Sequence, residues 1–219
     1  MRIRKATTLQ DLEAVWRLTH DMYVAEGYAE PRSDGQLRHY PHLDAVPETT
    51  ILMAEDEDGT LVGSNSYTID GPAGLHADDD FRDVIDSVRA ECRAAGTRLG
   101  ASWRIATRPG CREHLFVVMQ LISATLEGGR ELADVVLFTF NPKHESFYGR
   151  MLGLRTIAEP REGSSVQSAP AILMRGEMAA MLERWERVKA RRSSARLAPV
   201  RPEPAPRTEA AAVAAKAAG

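Results

Sequence analysis

Cysteine is scarce in this sequence, long apolar runs are missing, and neither sign of charge dominates. The two cysteines, Cys92 and Cys111, are too few for a disulfide framework or a cysteine-rich metal site, and they fit a reducing cytoplasm. The longest apolar runs, residues 115–119 and 135–138, are far shorter than the roughly 20 residues that cross a membrane. A net charge of −3 provides no basic field for nucleic acid. We therefore expect a cytoplasmic protein with no secretory signal, no metal site and no nucleic-acid partner.

The composition indicates one globular domain followed by a C-terminal segment of different composition. A content of 43% hydrophobic and 27% charged residues is ordinary for a folded domain, and we assign residues 1–192 to it. Residues 193–219 contain ten alanines, four prolines and no aromatic residue. Such a segment buries too little apolar surface to offset the entropy of ordering, so we predict a disordered tail.

Apolar spacing and turn signals predict helices and strands in alternation. Thr7, with Gln10 three residues later, indicates a capping box at the start of the first helix. A long polar loop covers residues 29–48. The predicted strands are residues 2–6, 50–54, 61–69, 98–107, 132–140, 154–158 and 169–175, and the later helices are residues 81–95, 112–127, 143–152 and 177–192. This order predicts a central sheet covered on both faces by helices.

Residues 141–154 resemble the late strand–helix–strand signature of the GCN5-related N-acetyltransferases (GNAT superfamily). There an Asn ends the strand, Phe-Tyr follows in the helix, and Leu-Gly with an apolar residue leads into the next strand. The corresponding residues here are Asn141, Phe147-Tyr148 and Leu152-Gly153-Leu154.

Residues 101–107 resemble the middle strand of the autoinducer (acyl-homoserine lactone) synthases, in which Glu-x-x-Arg leads into an apolar strand. Arg104 matches the arginine, whereas Ala101 replaces the glutamate. Ser66 replaces an arginine that the family usually carries in the strand after the hairpin. In that family these residues help to handle S-adenosylmethionine, so lactone synthesis is disfavoured here.

Residues 1–192 as a whole are most similar to the long-chain N-acyl amino acid synthases, in particular the N-acyl tyrosine synthases of soil bacteria. The resemblance implies the GNAT fold, an α/β (α+β) architecture with a central mixed, mostly antiparallel sheet and helices on both faces. It implies a bacterial acyltransferase that moves a long-chain acyl group from acyl carrier protein to the α-amine of an amino acid, tyrosine being the expected acceptor. No permanently bound cofactor is implied, and the donor is the acyl-phosphopantetheine of the carrier protein.

The resemblance also implies catalytic positions. Backbone N–H groups near Ile105, Ala106 and Thr107 would face the thioester carbonyl, where charge develops during the reaction. Tyr148 would stand where the superfamily often keeps a general acid, and the alternative is a tyrosine of the core.

Two charged residues have competing interpretations. A buried arginine needs a partner, so Arg104 either pairs with Asp44 or Glu55, or binds the carboxylate of the amino acid directly or through its loop. Glu55, at the end of the first hairpin strand, is a candidate general base, and the alternative is a solvated turn carboxylate.

The amino acid pocket is expected between the first helix, the 29–48 loop and the middle strand. Tyr23 and Tyr28 resemble an aromatic pair of the lactone synthases, and Asp44 resembles an aspartate of their second loop. His20, one turn before Tyr23, can face the same cleft.

The acyl chain needs an apolar tunnel, for which Phe138 and Phe140 are candidates, with plain core as the alternative. Asn141 either caps the strand end or the next helix, or contacts the pantetheine amide.

The loop at residues 108–113 favours a carrier protein over coenzyme A. Enzymes that use coenzyme A hold its pyrophosphate on a loop with two glycines, whereas this loop has one glycine and Pro109, which lacks an N–H. Arg108, Arg112 and Lys143 can meet the phosphodiester and acidic surface of a carrier protein, or they are solvated surface charges.

Two other functions remain as alternatives. The first is a coenzyme A-dependent N-acetyltransferase of small molecules, and the second is a non-catalytic module that binds an acyl chain or a carrier protein. The basic face of the last helix makes membrane contact conceivable, but packing against the sheet is the expected arrangement.

Overall fold

The computed structural model describes residues 1–108, 114–164, 167 and 169–197, with side chains described up to residue 191. The strands are β1 (Arg2–Lys5), β2 (Thr49–Glu55), β3 (Leu61–Ile69), β4 (Leu99–Thr107), β5 (Val135–Phe140), β6 (Arg155–Glu162) and β7 (Pro170–Glu177). The helices are α1 (Leu9–Ala25), α2 (Pro41–Asp44), α3 (Asp78–Ala95), α4 (His114–Gly129), α5 (Glu145–Leu152) and α6 (Met178–Leu197).

The strands form one seven-stranded sheet in the order β1-β2-β3-β4-β5-β7-β6. β4 and β5 run parallel, and the other neighbouring strands pair antiparallel. The expected mixed, mostly antiparallel sheet is therefore confirmed.

Helices cover both faces of the sheet because alternate residues of each strand point to opposite sides. Val15 of α1 packs with Ile51 and Met53 of β2, whereas the intervening Leu52 packs with Leu121 of α4. A larger core joins α3 to the central strands; its members include Phe81, Ile85, Val88, Leu99, Ala101, Leu137 and Leu173. We call these two sides the α1/α3 face and the α4 face.

The capping box of α1 lies one residue later than expected. Thr8, not Thr7, is the N-cap, and its side chain accepts a hydrogen bond from the backbone N–H of Asp11. In return, the Asp11 carboxylate accepts a hydrogen bond from Thr8 N–H, and it also pairs with Arg4 at 2.7 Å. Asp11 thus combines the cap with an ion pair to β1, which the uncharged Gln10 cannot form.

Several boundaries differ from the expectation. The 29–48 loop contains the short helix α2, whose Pro41 suits a first helical position. β5 begins at Val135 rather than at residue 132, and α3 begins at Asp78 rather than at Phe81, where the backbone leaves helical geometry.

The end of the chain was predicted as a tail from residue 193. Helix α6 continues to Leu197, and residues 198–219 lie outside the described residues. Residues 1–187 form one compact unit, and the described remainder is the last part of α6. Within the described ranges no helix is long and apolar enough to cross a bilayer.

Candidate active site

The two parallel strands at the centre of the sheet separate part-way along their length. Within the described strands, β4 and β5 pair from Leu99 opposite Val135 to Ser102 opposite Phe138. β4 continues beyond this point beside β3, and β5 continues beside β7. The two strands therefore diverge beyond Ser102 and Phe138.

A β-bulge lies in β4 at the place where the strands diverge. Trp103 pairs with Ser66 and Ala106 with Ser64, so two residues of β4 face one residue of β3. The extra residue frees backbone groups from the ladder. Arg104 in the bulge has φ of 53°, a left-handed conformation that is costly for a residue with a side chain. Such strain is concentrated at functional sites, where surrounding contacts maintain it.

A cavity of about 600 Å³ occupies the divergence of the strands. Many of the residues that the sequence marked as site candidates line it. They are Tyr23, Tyr28, Arg104, Ile105, Ala106, Thr107, Phe138, Phe140, Asn141, Lys143 and Tyr148.

The part of the cavity on the α4 face is apolar. Because Leu137 packs in the α3 core, its neighbour Phe138 points to the opposite, α4 face. Phe138 stacks on Phe140 at 5.7 Å between ring centroids, and Phe140 stacks on Tyr148 at 3.9 Å. Further apolar lining comes from α4 and α5: Leu115, Val118, Ile122, Leu126, Phe147 and Leu152.

Tyr148 combines this apolar environment with a polar hydroxyl. Its side chain is almost wholly buried, and burial raises the pKa of Tyr148 to about 12. The phenol therefore stays protonated through neutral pH, and it can donate a hydrogen bond into the cavity.

The part of the cavity on the α1/α3 face is aromatic and carries two histidines. Trp103 stacks on His76 at 6.0 Å and meets Tyr40 edge-on at 5.5 Å. His39 lies 4.2 Å from Tyr40 and 5.2 Å from Tyr23, centroid to centroid. Burial lowers the pKa values of His39 and His76 to about 3, so both imidazoles are neutral at physiological pH.

Arg104 is held by protein partners rather than left open for a substrate. Its guanidinium pairs with Asp44, with Nη2 2.7 Å from Oδ1 and Nη1 3.0 Å from Oδ2. It also donates to Ser66 Oγ from Nε and Nη2, and to the His39 carbonyl from Nη1. Asp44 accepts a further hydrogen bond from Trp16 Nε1 at 2.7 Å. Of the interpretations left open above, the geometry favours the pair with Asp44, through which Arg104 holds the 29–48 loop.

Four other candidate residues do not line the cavity. The Glu55 carboxylate accepts a hydrogen bond from Arg4 Nε at 2.7 Å, beside β1. Asp44 pairs with Arg104, which itself lines the cavity. His20 accepts a hydrogen bond from the backbone N–H of Arg32. Arg108 donates to the carbonyl of Leu61. Arg112 and most of the loop that carries it lie outside the described residues.

Asn141 and Lys143 lie where β5 ends. Asn141 Oδ1 accepts a hydrogen bond from Lys143 N–H and so caps the short 3-10 turn Pro142–His144. Lys143 Nζ lies 2.5 Å from Glu26, just after α1. This contact lowers the pKa of Glu26 and raises that of Lys143. Both side chains are about half exposed at the cavity wall.

His39, His76, Tyr40 and Asn65 are cavity residues that the sequence did not mark as site candidates. Asn65 donates to Ser102 Oγ and Thr125 Oγ1, which joins β3, β4 and α4. His39 lies in the 29–48 loop and His76 lies just before α3, and neither has a motif around it. For His39 and Tyr40 the usable signal was the 29–48 loop, because a long loop in a compact domain is often part of a binding site.

The family model described as "N-acyl amino acid synthase FeeM" matches residues 14–177. Among curated proteins there was no match.

Solved structures share the fold. FeeM, an N-acyl amino acid synthase from uncultured soil microbes, superposes with a TM-score of 0.71 at 23% identity, covering 84% of this chain and 99% of FeeM. An acyl-CoA N-acyltransferase from Pseudomonas aeruginosa gives a TM-score of 0.54 at 21% identity, covering 80% and 97% of the two chains. The AHL synthase LasI gives 0.58 at 14% identity, covering 83% and 93%. The fold is that of the acyl-CoA N-acyltransferases (GNAT fold), as expected.

Proposed function

The chain belongs to the FeeM family of N-acyl amino acid synthases, and we propose that it joins a long-chain acyl group from acyl carrier protein to the α-amine of tyrosine. As a member of that family it is an acyltransferase. We further propose that the reaction takes place in the cytoplasm.

The observation that carries the proposal is the chemical difference between the two parts of one cavity. The part on the α4 face is walled by stacked rings and aliphatic side chains, which suits a hydrocarbon chain. The part on the α1/α3 face is walled by Tyr23, Tyr40 and Trp103, with neutral imidazoles between them. Aromatic walls with polar groups suit an aromatic amino acid. The bulge of β4 lies between the two, where the reacting atoms would meet.

The reaction forms a C–N bond and breaks the C–S bond of the thioester. The amine attacks the carbonyl carbon, and its proton leaves to ordered water. Backbone N–H groups of the bulge, near Ile105 and Ala106, stabilise the negative charge that develops on the carbonyl oxygen. The Tyr148 hydroxyl donates a hydrogen bond to the departing sulfur, and the thiol product takes its proton from solvent. Glu55 has no part in this scheme because it pairs with Arg4 away from the cavity.

The donor is assigned to a carrier protein from charge and from the loop sequence. Lys143 lies at the cavity wall with about half of its side chain exposed, and Arg108 is exposed to a similar degree. Exposed cations suit a single phosphodiester on an acidic protein. The loop at residues 108–113 has one glycine and includes Pro109, a poor match for a pyrophosphate.

The proposal is tested by mass spectrometry of reaction products. The full chain is incubated with long-chain acyl carrier protein and the twenty amino acids, and in parallel with acetyl and long-chain coenzyme A. N-acyl tyrosine from the carrier-protein reaction is the expected product. Acetylated product from coenzyme A alone would instead indicate a coenzyme A-dependent N-acetyltransferase. An acyl chain that stays bound without any product would indicate the binding module.

The assignment of the apolar part to the acyl chain has its own test. Leu126→Trp adds bulk to the wall of that part, and we expect the longest accepted chain to shorten while short chains still react. Leu132→Trp is the matched control, because Leu132 is exposed and does not line the cavity. Equal chain-length profiles for the two variants, both folded, would remove the acyl chain from this part of the cavity.

A further inference from the structure

His39 is a buried polar side chain without a hydrogen-bond partner inside the protein. Its residue is 8% exposed, and neither Nδ1 nor Nε2 has a partner among the described residues. An imidazole nitrogen that is removed from water without a partner costs stability. His39 lines the cavity, so a bound molecule can supply the partner that the protein does not.

The surrounding contacts prevent His39 from turning to another partner. Its backbone carbonyl accepts a hydrogen bond from Arg104 Nη1 at 3.4 Å. The next residue, Tyr40, has φ of 54°, a left-handed conformation that caps α2. The rings of Tyr40 and Tyr23 both pack against the imidazole. The position of the ring is therefore set before any substrate arrives.

The chemistry around His39 selects the kind of group that it can bind. A neutral imidazole offers one N–H donor and one acceptor nitrogen, and a hydroxyl is both donor and acceptor. The guanidinium of Arg104 is close enough to lower the pKa of His39 further, which disfavours a second cation such as an ammonium group. The aromatic walls of Tyr23, Tyr40 and Trp103 suit a flat ring that carries the hydroxyl.

We propose that His39 is a specificity-determining residue that hydrogen-bonds the phenolic hydroxyl of the acceptor amino acid. This inference rests on the proposed function and adds the residue that distinguishes tyrosine from phenylalanine. Arg104 acts as a positioning residue, since it touches the His39 carbonyl and the Asp44 carboxylate rather than the substrate. His76 is less suited to this role because its Nε2 already pairs with Thr139 Oγ1 at 2.7 Å.

The test compares kcat/KM for tyrosine and for phenylalanine. A site built to bind a hydroxyl discriminates against the analogue that lacks it. For the unaltered protein we expect a preference for tyrosine of about 10-fold to 100-fold, the worth of one unpaired buried polar group. In His39→Leu the preference falls to within about threefold, through loss of activity on tyrosine. His42→Leu is the matched control, because His42 lies on the same loop, is exposed and does not line the cavity; it keeps the preference.

Three results would overturn the proposal. The first is an unaltered protein that acylates phenylalanine as well as tyrosine. The second is a His39→Leu variant that keeps the preference. The third is an equal loss for both substrates, which would mean that His39 acts on the amine.

A second variant and a binding measurement cover the cases of misfolding and of no turnover. His39→Gln keeps a donor and an acceptor, so it retains most of the preference if His39→Leu does not fold; a preference lost in a folded His39→Gln counts against the proposal. NMR of the His39 ring nitrogens in the unaltered protein is independent of catalysis. A shift on adding tyrosine that phenylalanine does not produce supports the site even if no acyl transfer occurs. No shift with either amino acid overturns it while leaving acyl transfer to be judged from its own assay.

Discussion

At the scale of the single residue, Arg104 is a charged group of the site that is wholly buried and held by several hydrogen bonds. Its side chain has no solvent exposure, and its partner Asp44 is 3% exposed. Its Cζ lies 4.5 Å from the ring centroid of Trp103. A buried ion pair is a weak source of net stability, but removing one partner leaves the other charge uncompensated. The position of the 29–48 loop therefore depends on Arg104 of β4.

Arg104→Met is expected to lower the free energy of unfolding by roughly 3–5 kcal/mol, because Asp44 would remain buried and unpaired. Urea unfolding measures this change. Arg187→Met is the matched control: Arg187 pairs with Glu183 on the surface of α6, and its loss should cost less than about 1 kcal/mol. Similar costs for the two variants would contradict a structural role for the Arg104–Asp44 pair.

Tyr148 makes a different prediction, on catalysis. If its hydroxyl stabilises the departing sulfur, Tyr148→Phe lowers kcat by about 10²-fold or more with little change in KM. Burial raises the pKa of Tyr148 to about 12, so the phenol remains protonated and kcat shows no loss from its ionisation up to about pH 10–11. Steady-state kinetics across pH check both statements. Tyr67→Phe, a buried tyrosine outside the cavity wall, should leave kcat unchanged, and an unchanged kcat in Tyr148→Phe would assign Tyr148 to the core alone.

At the scale of the element, close packing of β7 and the start of α6 depends on a glycine. A Cβ atom added to Gly176 would lie 2.5 Å from Met181 Sδ and 2.6 Å from Leu154 Cδ2. Both neighbours belong to the packed interior, since Met181 is 1% and Leu154 is 6% exposed. The start of α6 and the residue before β6 therefore pack directly against the backbone of β7 at Gly176.

We expect Gly176→Ala to destabilise the protein by about 1–3 kcal/mol, as overpacking does. Gly149→Ala provides the comparison, because Gly149 lies in α5 and, among the described residues, an added Cβ meets only the Leu154 carbonyl at 3.5 Å. Alanine favours the helix there, so stability should rise by up to about 1 kcal/mol. Thermal and urea unfolding of both variants decide the matter, and a neutral Gly176→Ala would show that the contact relaxes freely.

The order of the elements could be predicted from sequence, but helix α2 and the bulge in β4 could not. The order of strands and helices followed from local signals, such as the apolar spacing of α3 and the glycine at position 96 that ends it in a left-handed conformation. Helix α2 did not, because Pro41 suits a turn as well as a first helical position, and the left-handed N-cap Tyr40 has no local signature. The bulge at Arg104 depends on pairing with β3, and sequence alone left Asp44, sixty residues earlier, as one of several possible partners of Arg104. Such relations arise from tertiary packing, which periodicity does not report.

At the scale of the whole molecule, two buried neutral histidines make stability depend on pH. Burial lowers the pKa values of His39 and His76 from about 6.5 to about 3, so the unfolded chain binds more protons in this range. Their contribution to stability is complete above pH 6.5 and is lost as the pH falls toward 3.

Unfolding at pH 5 should therefore take up about one proton for each of these histidines. The slope of unfolding free energy against pH, from urea titrations between pH 7 and pH 5, measures this uptake. His76→Gln can keep the hydrogen bond to Thr139 and should reduce the uptake by about one proton. An unchanged slope in that variant would mean that His76 is already accessible to protons in the folded state.

The divergence of β4 and β5 has a consequence for how the sheet opens. It divides the sheet into β1–β4 and β5–β7–β6, which share a short run of paired residues and the packing of α3. A donor bound in the cleft, as proposed, would contact both parts and would not bind the unfolded chain, so saturation at 100 times its Kd would add about 2.7 kcal/mol to the opening free energy. Amide hydrogens of β5 should then exchange more slowly with solvent, by about a hundredfold, in step with those of β4. Bound substrate would thus join the two half-sheets, and the substrate-bound enzyme would open more cooperatively than the free enzyme.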